Sequence, residues 1–181
     1  VPHDPISVTL GWNMIGGYET SPTIVALKAA NPQIIGSVFA YNGTQYVPAT
    51  NLVPGYGYWA NVTNTNPIVI PDAISKGSEE VVEMFKEDWG RIVITDSRGI
   101  STTLYAVKGE VNLDEYAMPP LPPSGAFDIR FSSQRIAEDL SKSQSIEMNG
   151  VTYPVKIKVE NMNISLRDET GKDLSKSLQP G

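Results

Sequence analysis

The chain has 181 residues and a formal net charge of −6, and its 14 lysines and arginines do not cluster, so it lacks the positive footprint of a nucleic-acid-binding protein. It contains no cysteine and a single histidine, which excludes disulfides, thiolate nucleophiles and zinc sites built from those ligands. Its 15 glycines and 14 prolines favour short elements joined by turns, and no apolar run reaches the roughly 18 residues that span a membrane.

The first predicted elements are a strand and a short helix. Apolar residues alternate with small polar residues from Ile6 to Trp12, which is the period of two of a half-buried strand. Residues 22–35 then carry the apolar spacing of one helix, which Ser21 or Thr20 would cap and a proline at the far end would stop.

A hairpin is predicted next, around Asn42-Gly43. The β-prone runs at residues 34–41 and 44–47 flank this pair, and Asn-Gly is typical of a type I′ turn because both central residues need a positive φ. A further strand over residues 56–62 completes a first module, which we place at residues 1–74.

The second module is predicted to span residues 75–181. Residues 79–87 fit a helix and a strand about equally well, so the sequence leaves them open. Residues 89–96 and 100–107 form a second hairpin, because the Asp-Ser-Arg-Gly between them suits a type I turn followed by a left-handed residue.

Two later segments depart from this simple pattern. Residues 116–125 are proline-rich and extended, and they cannot lie inside a sheet because proline lacks a backbone N–H. The alternating run at residues 151–159 slips phase at Glu160-Asn161, which indicates a bulge or a tight turn. Because residues 116–125 cannot lie inside a sheet, we expect this proline-rich strap to cross the surface of one.

Together these elements predict an all-β, mainly antiparallel protein. It has two small β modules and at most one or two short helices. The first module carries the helix, and the second is predicted to be an immunoglobulin-like or jelly-roll-like sandwich.

Four segments follow one another in an order that resembles a known arrangement. They are GWNMIGG at residues 11–17, VPGYGYW at 53–59, WGRIVITDSRGISTTLY at 89–105 and YAMPPLPPSGAFDIRFSS at 116–133. Together they resemble the β-rich region, with its GWNxIG and PGxGYW signatures, that precedes the C-terminal sorting domain in bacterial surface proteins of the type IX secretion pathway. The resemblance includes no sorting domain.

The resemblance implies export, and attachment to or release from the cell surface. It also implies an accessory or passenger role within a longer polypeptide, of which this chain would be a fragment or mature piece. It supplies no catalytic residues. We therefore expect an extracellular or outer cell-surface location.

Catalytic arrangements find little support in the residues themselves. The only histidine, His3, lies near the start between prolines, so nothing guarantees the held imidazole of a Ser-His-Asp triad. Paired carboxylates for glycoside hydrolysis could come from Asp114 with Glu115, or from Asp128 with an unknown partner, but that chemistry also needs a deep cleft. We predict that the protein is not an enzyme and assign no catalytic residue.

Acidic loops raise the question of calcium. Two groups of loop carboxylates could supply oxygen ligands, but neither forms a D-x-D-x-D loop, so solvated acidic turns are the favoured interpretation. These groups are Asp72, Glu79 and Glu80, and Asp168, Glu169 and Asp173. We predict no metal site and no cofactor.

Aromatic residues of the first module are the candidates for ligand binding. In an extended strand Tyr56 and Tyr58 share one face, so they could form a flat platform for sugar rings while Trp59 enters the core. The alternative is that Trp12 and Trp59 form the core and the tyrosines cover its rim. The candidate ligand-binding residues are Tyr41, Tyr46, Tyr56 and Tyr58.

The sequence therefore predicts a non-catalytic accessory, structural or adhesive module of a secreted or cell-surface bacterial protein. Two alternatives stay open: a carbohydrate-binding module with a tyrosine platform, and a subunit of an extracellular filament assembled by edge-strand pairing. The expected partners are other domains of the polypeptide, a glycan or further copies of the chain. Nucleic acid and membrane insertion are not expected.

Overall fold

The computed structural model describes residues 3–72 and 84–174. Within these ranges the chain forms ten short strands, one α-helix and one 3-10 helix, which confirms the predicted all-β class. The chain divides into two compact units. The first comprises Val1–Met84 and Asp114–Pro122, and the second comprises Phe85–Leu113 and Pro123–Gly181.

This division differs in one respect from the predicted modules 1–74 and 75–181. Asp114–Pro122, which holds most of the proline-rich strap predicted at residues 116–125, belongs to the first unit. The physical reason is packing at long range: Tyr116 is buried and its hydroxyl donates to the Met84 carbonyl at 2.8 Å. The predicted boundary lies outside the described residues, as does most of the open segment 79–87.

The first unit is built on a four-stranded antiparallel sheet. Its strands lie in the order β1-β4-β2-β3, and every neighbouring pair runs antiparallel. The strands are β1 (Gly11–Gly16), β2 (Ile34–Tyr41), β3 (Tyr46–Pro48) and β4 (Gly57–Val62).

One helix packs against this sheet, as the sequence predicts. Helix α1 (Ile24–Ala30) begins after Thr23, whose hydroxyl accepts the Ala26 N–H at 3.1 Å. The predicted caps Ser21 and Thr20 are wrong, because Thr23 is the extended residue directly before the first turn and satisfies one of the free N–H groups there.

The core of the first unit lies between α1 and one face of the sheet. Ile24 and Leu27 of the helix are buried there. Leu27 has no exposed surface, and burial of such a side chain contributes about 1.5–3 kcal/mol. The sheet contributes Ile15, Ile34, Val38, Tyr58, Ala60 and Val62.

The first predicted strand begins later than expected. Gly11 has a φ of +93°, a conformation that interrupts the extended run from Ile6. Ile6 therefore makes only an isolated bridge with Ile68, and β1 starts at Gly11. Leu10, predicted to face inwards, is exposed.

The hairpin at Asn42-Gly43 is confirmed, but its loop is longer than a type I′ turn. Tyr41 pairs with Tyr46, and of the loop residues between them Gly43 has a positive φ of +89° whereas Asn42 does not. The Asn42 side-chain oxygen instead accepts the two N–H groups that follow Gly43, at 3.0 and 2.9 Å. The asparagine side chain thus closes the turn.

The second unit has two layers, in agreement with the predicted sandwich-like module. The larger sheet has the order β10-β5-β6-β8, antiparallel except for the β6–β8 pair, and the smaller sheet pairs β7 with β9. Side chains from both sheets form one core. The strands are β5 (Gly90–Thr95), β6 (Ser101–Ala106), β7 (Asp128–Phe131), β8 (Ala137–Glu138), β9 (Ile146–Asn149) and β10 (Lys156–Glu160).

Two turns of the second unit share one construction. Asp96 and Asp168 each accept, through Oδ1, the N–H groups two and four residues later. The glycine three residues after each aspartate has a φ of +84°. The first of these turns joins β5 to β6 and confirms the second predicted hairpin, and Asn161, with a φ of +57°, confirms the predicted phase slip.

Candidate functional site

The face of the first sheet that points away from the core carries most of its aromatic side chains. Trp59 on β4 lies opposite Met14 on β1 and Phe39 on β2. Cross-strand neighbours share a face and successive residues alternate, so these side chains point away from the face that holds Tyr58. The same alternation places Trp12, Tyr41 and Tyr46 on this outer face.

The segment that follows residue 113 lies against β2. Gly36, on β2, has a φ of +65°, and a Cβ atom there would collide with the Glu115 carbonyl. The Lys28 ammonium donates to the Gly36 carbonyl at 2.8 Å, and partial burial lowers the pKa of Lys28 while the Glu115 charge opposes that shift. Phe39, although it faces outwards, is buried.

Four side chains of the outer face form what we call the aromatic patch: Met14, Tyr41, Tyr46 and Trp59. Met14 is 64% exposed and Tyr41 is 44% exposed, whereas Tyr46 and Trp59 are half-buried. The Tyr41 and Tyr46 rings meet edge to face, with centroids 5.9 Å apart.

Two glycines give the aromatic patch a flat floor. Gly16 and Gly57 pair across β1 and β4, and both are exposed. The Met14 sulfur lies 3.6 Å from the position that a Cβ of Gly57 would take, so the methionine rests over the bare backbone. Glycines within strands permit close approach of a ligand to the backbone.

The platform predicted from Tyr56 and Tyr58 is wrong. Tyr58 is only 3% exposed and belongs to the core, where its hydroxyl accepts the Val53 N–H at 2.7 Å. Tyr56 is 64% exposed in the turn before β4, so the two tyrosines form no common surface. Trp59, predicted to enter the core, points the other way.

The alternative core of Trp12 and Trp59 is also wrong. Both indoles are half-buried on the outer face, and the core cluster contains neither of them. Trp12 instead meets Phe39 edge to face, with centroids 6.0 Å apart. Aliphatic side chains and Tyr58 occupy the core because those residues face α1.

Of the carboxylates considered for catalysis, Asp128 is buried in an ion pair, and Asp114 and Glu115 are exposed. Asp128 is buried and forms an ion pair with Arg130, whose two nitrogens each lie 2.7 Å from a carboxylate oxygen. Asp114 and Glu115 are exposed neighbours in the 3-10 helix Leu113–Tyr116. His3 stacks on Tyr18 and lies 2.9 Å from a Glu19 oxygen.

The acidic loops do not gather into a metal site in the part of the chain that the structure describes. Asp168 already accepts three hydrogen bonds within its own turn, and Asp173 pairs with Arg167 at 3.3 Å. Glu79 and Glu80 lie outside the described residues.

A cavity of about 300 Å³ opens in the second unit. Apolar side chains such as Ile92 and Phe131 line it, together with residues 141–144 and Asn163, which carry hydroxyl, amide and ammonium groups. Its described lining contains no carboxylate.

Asp96 gives a prediction for pH dependence. Burial alone would raise its pKa, but hydrogen bonds from Arg98 and from backbone N–H groups hold the pKa below its ordinary value. This stabilisation is present above the unfolded pKa of about 4 and is lost as pH falls through the lower folded value. The urea concentration at the midpoint of unfolding falls as the pH is lowered from about 5 to about 2, and in Asp96→Asn this fall should be smaller than in the wild type.

The exposed Glu169→Gln variant is the matched control for that profile. Its urea midpoint should fall with pH as steeply as that of the wild type. An acid limb for Asp96→Asn as steep as that of the wild type would contradict the assignment.

No helix among the described residues has the length and apolar character needed to cross a membrane. Comparison with protein-family models, with curated proteins and with solved structures gives no match to this chain. The geometry of the chain's own residues therefore carries the functional proposal.

Met14 and Trp59 are the patch residues that sequence reasoning missed. The alternation along β4 separates Trp59 from Tyr58, but it does not say which of them faces the core. Gly16 and Gly57 pair beside these side chains, but that register is visible only in the structure.

Proposed function

We propose that this chain is a non-catalytic adhesive or accessory module of a secreted or cell-surface bacterial protein, and that the aromatic patch is its adhesive surface. The observation that carries the proposal is the position of the patch on the sheet face opposite the core. Met14 and Tyr41 remain substantially exposed there. Exposed apolar side chains gathered on one surface are typical of interaction sites.

The charges of the chain support a binding role over a catalytic one. The buried carboxylates Asp96 and Asp128 each pair with an arginine two residues later, so their charges stabilise the fold. The aromatic patch itself carries no ionisable group other than the two tyrosine hydroxyls. The patch is suited to bind a ligand through van der Waals contacts rather than through charge.

The proposed location rests on the order of the four sequence segments. Three of them now have a structural meaning: residues 11–17 form β1, residues 53–59 lead into β4, and residues 89–105 form the β5–β6 hairpin. An extracellular module without cysteines is compatible with that resemblance.

Carbohydrate is the second candidate ligand, and the glycine floor favours it. A sugar ring can lie on a flat apolar surface while tyrosine hydroxyls at the border accept or donate hydrogen bonds. Gly16 and the Met14 side chain that rests over Gly57 supply the floor, and the Tyr41–Tyr46 pair supplies the border. The lack of formal charge in the patch favours a neutral glycan.

The Tyr41→Ala/Tyr46→Ala double variant tests both proposals. We expect it to lose at least tenfold in adhesion to intact bacterial cells, about 1.4 kcal/mol, because the border of the patch is removed. Cell retention of fluorescently labelled chain measures the adhesive role, and a glycan array measures the carbohydrate role.

Tyr153→Ala is the matched control, since Tyr153 is 68% exposed in the second unit. It should bind as the wild type does. Equal retention of the double variant and the control would contradict adhesion through the patch. Retention on cells with no signal on any glycan would overturn the carbohydrate candidate alone.

A further inference from the structure

The outer edge of β1 is a second surface with unused bonding capacity. β1 lies at one end of the first sheet and pairs only with β4 among the described residues. The Asn13 side-chain amide donates to the Gly11 carbonyl at 2.9 Å, and no described strand lies along the outer edge of β1. An edge of this kind can template another strand.

Three other sheet edges, those of β3, β10 and β8, carry features that discourage pairing. At the far end of the first sheet, β3 spans only Tyr46–Pro48 and ends in a proline. In the second unit, β10 displays exposed Lys156 and Lys158 along one face, and β8 has only two residues. Short length, proline and lysine are the devices by which natural proteins protect edge strands.

β1 has none of these devices. Gly11–Gly16 contains no charged residue and no proline. Met14 within it and Leu10 just before it are both more than half exposed. Two copies of this strand would meet without charge repulsion, although the whole chain carries a net charge of −6.

We propose that β1 is a self-association edge, at which a second copy of the chain adds its own β1 in antiparallel orientation. The side-chain alternation limits the register, because paired residues must share a face. Centring the twofold axis at Asn13 brings Trp12 opposite Met14 of the second copy, which gives a sulfur–aromatic contact on both sides of the axis. The two four-stranded sheets then form one sheet of eight strands.

This association uses the backbone edge of β1, whereas ligand binding uses the outer face of the sheet. In the paired sheet both patches lie on the same face, so a dimer would present two adhesive surfaces together and gain avidity for a repetitive ligand. Met14 belongs to both the paired edge and the patch, so the Met14→Lys variant is used only to test association.

Sedimentation equilibrium of the full chain tests the proposal over about 1 μM to 1 mM protein. We expect a concentration-dependent dimer for the wild type. Met14→Lys places a charge on the edge and should raise the dimer dissociation constant at least tenfold. Leu121→Lys adds the same charge at an exposed site in the proline-rich segment and should leave the constant unchanged.

Disulfide trapping tests the register without introducing a charge. The chain has no native cysteine, so the single Asn13→Cys variant should form a covalent dimer because paired Cα atoms lie about 4.5–5.5 Å apart across antiparallel strands. Leu121→Cys is the control. A wild-type monomer at every concentration, a Met14→Lys dimer as tight as wild type, or equal trapping of the two cysteine variants would overturn the proposal.

Discussion

Arg130→Met should destabilise the second unit by about 3–5 kcal/mol, because it leaves the Asp128 charge buried without its partner. The two side chains are almost completely inaccessible, and the guanidinium meets the carboxylate through two 2.7 Å hydrogen bonds. A third guanidinium nitrogen donates to Gln134 at 3.2 Å. Urea unfolding followed by circular dichroism and tryptophan fluorescence measures the loss.

The Arg130→Met/Asp128→Leu double variant distinguishes the cost of an unpaired buried Asp128 charge from the cost of lost Arg130 packing. Replacing both partners with apolar groups removes the unpaired carboxylate, so most of the lost free energy of unfolding should return. A single variant within about 1 kcal/mol of the wild type would contradict the buried pair. So would a double variant no more stable than the single one.

Gly36→Ala should destabilise the first unit by about 2–5 kcal/mol, for two additive reasons. An alanine at a φ of +65° costs about 1–2 kcal/mol. Its Cβ would also collide with the Glu115 carbonyl, and relieving such overpacking costs about 1–3 kcal/mol more. The midpoint of urea unfolding measures the sum.

Gly43→Ala supplies the matched control for this collision. Gly43 also has a positive φ, but a Cβ added there meets nothing within 4 Å. It should cost only the backbone term of about 1–2 kcal/mol. Equal costs for the two variants would show that residues 114–119 do not lie against β2.

Features determined by near neighbours in the chain were predictable from sequence. The hairpin after Asp96 and the turn at Asn42-Gly43 depend on side chains that bond to the backbone a few residues away. The helix after Thr23 depends on a cap and an apolar stripe within ten residues or so. Such signals survive in any tertiary context.

The orientation of β4 was not predictable in this way. Alternation correctly separates Tyr58 from Trp59, but the two residues are both large and aromatic, so hydropathy cannot say which one faces the core. The choice is made by α1, which buries Ile24 and Leu27 against the face that holds Tyr58. For this reason Tyr58 and Trp59 lie on the faces opposite to those predicted, whereas the predicted Tyr41 and Tyr46 do lie in the aromatic patch.

The placement of the proline-rich strap could not be predicted from the sequence for a similar reason. Its composition predicts an extended chain over residues 116–125 that cannot lie inside a sheet. The structure gives residues 118–122 no helix or strand, whereas Tyr116 is the last residue of a 3-10 helix and residues 124–125 lie in a turn, so the predicted extended segment is too long at both ends. The partner is set by Gly36 and Met84, which lie at least thirty residues earlier in the chain. Nothing in the local sequence encodes that pairing.

Methyl NMR of the wild-type chain, with the methionine methyl groups labelled with carbon-13, tests adhesion through the aromatic patch most directly. Met14 reports on the patch, and Met148, 36% exposed in the second unit, is an internal reference. On titration with solubilised polysaccharide from the surface of adhering cells, the Met14 signal should shift saturably while the Met148 signal stays fixed. Saturable binding that leaves Met14 unmoved would contradict the proposed surface.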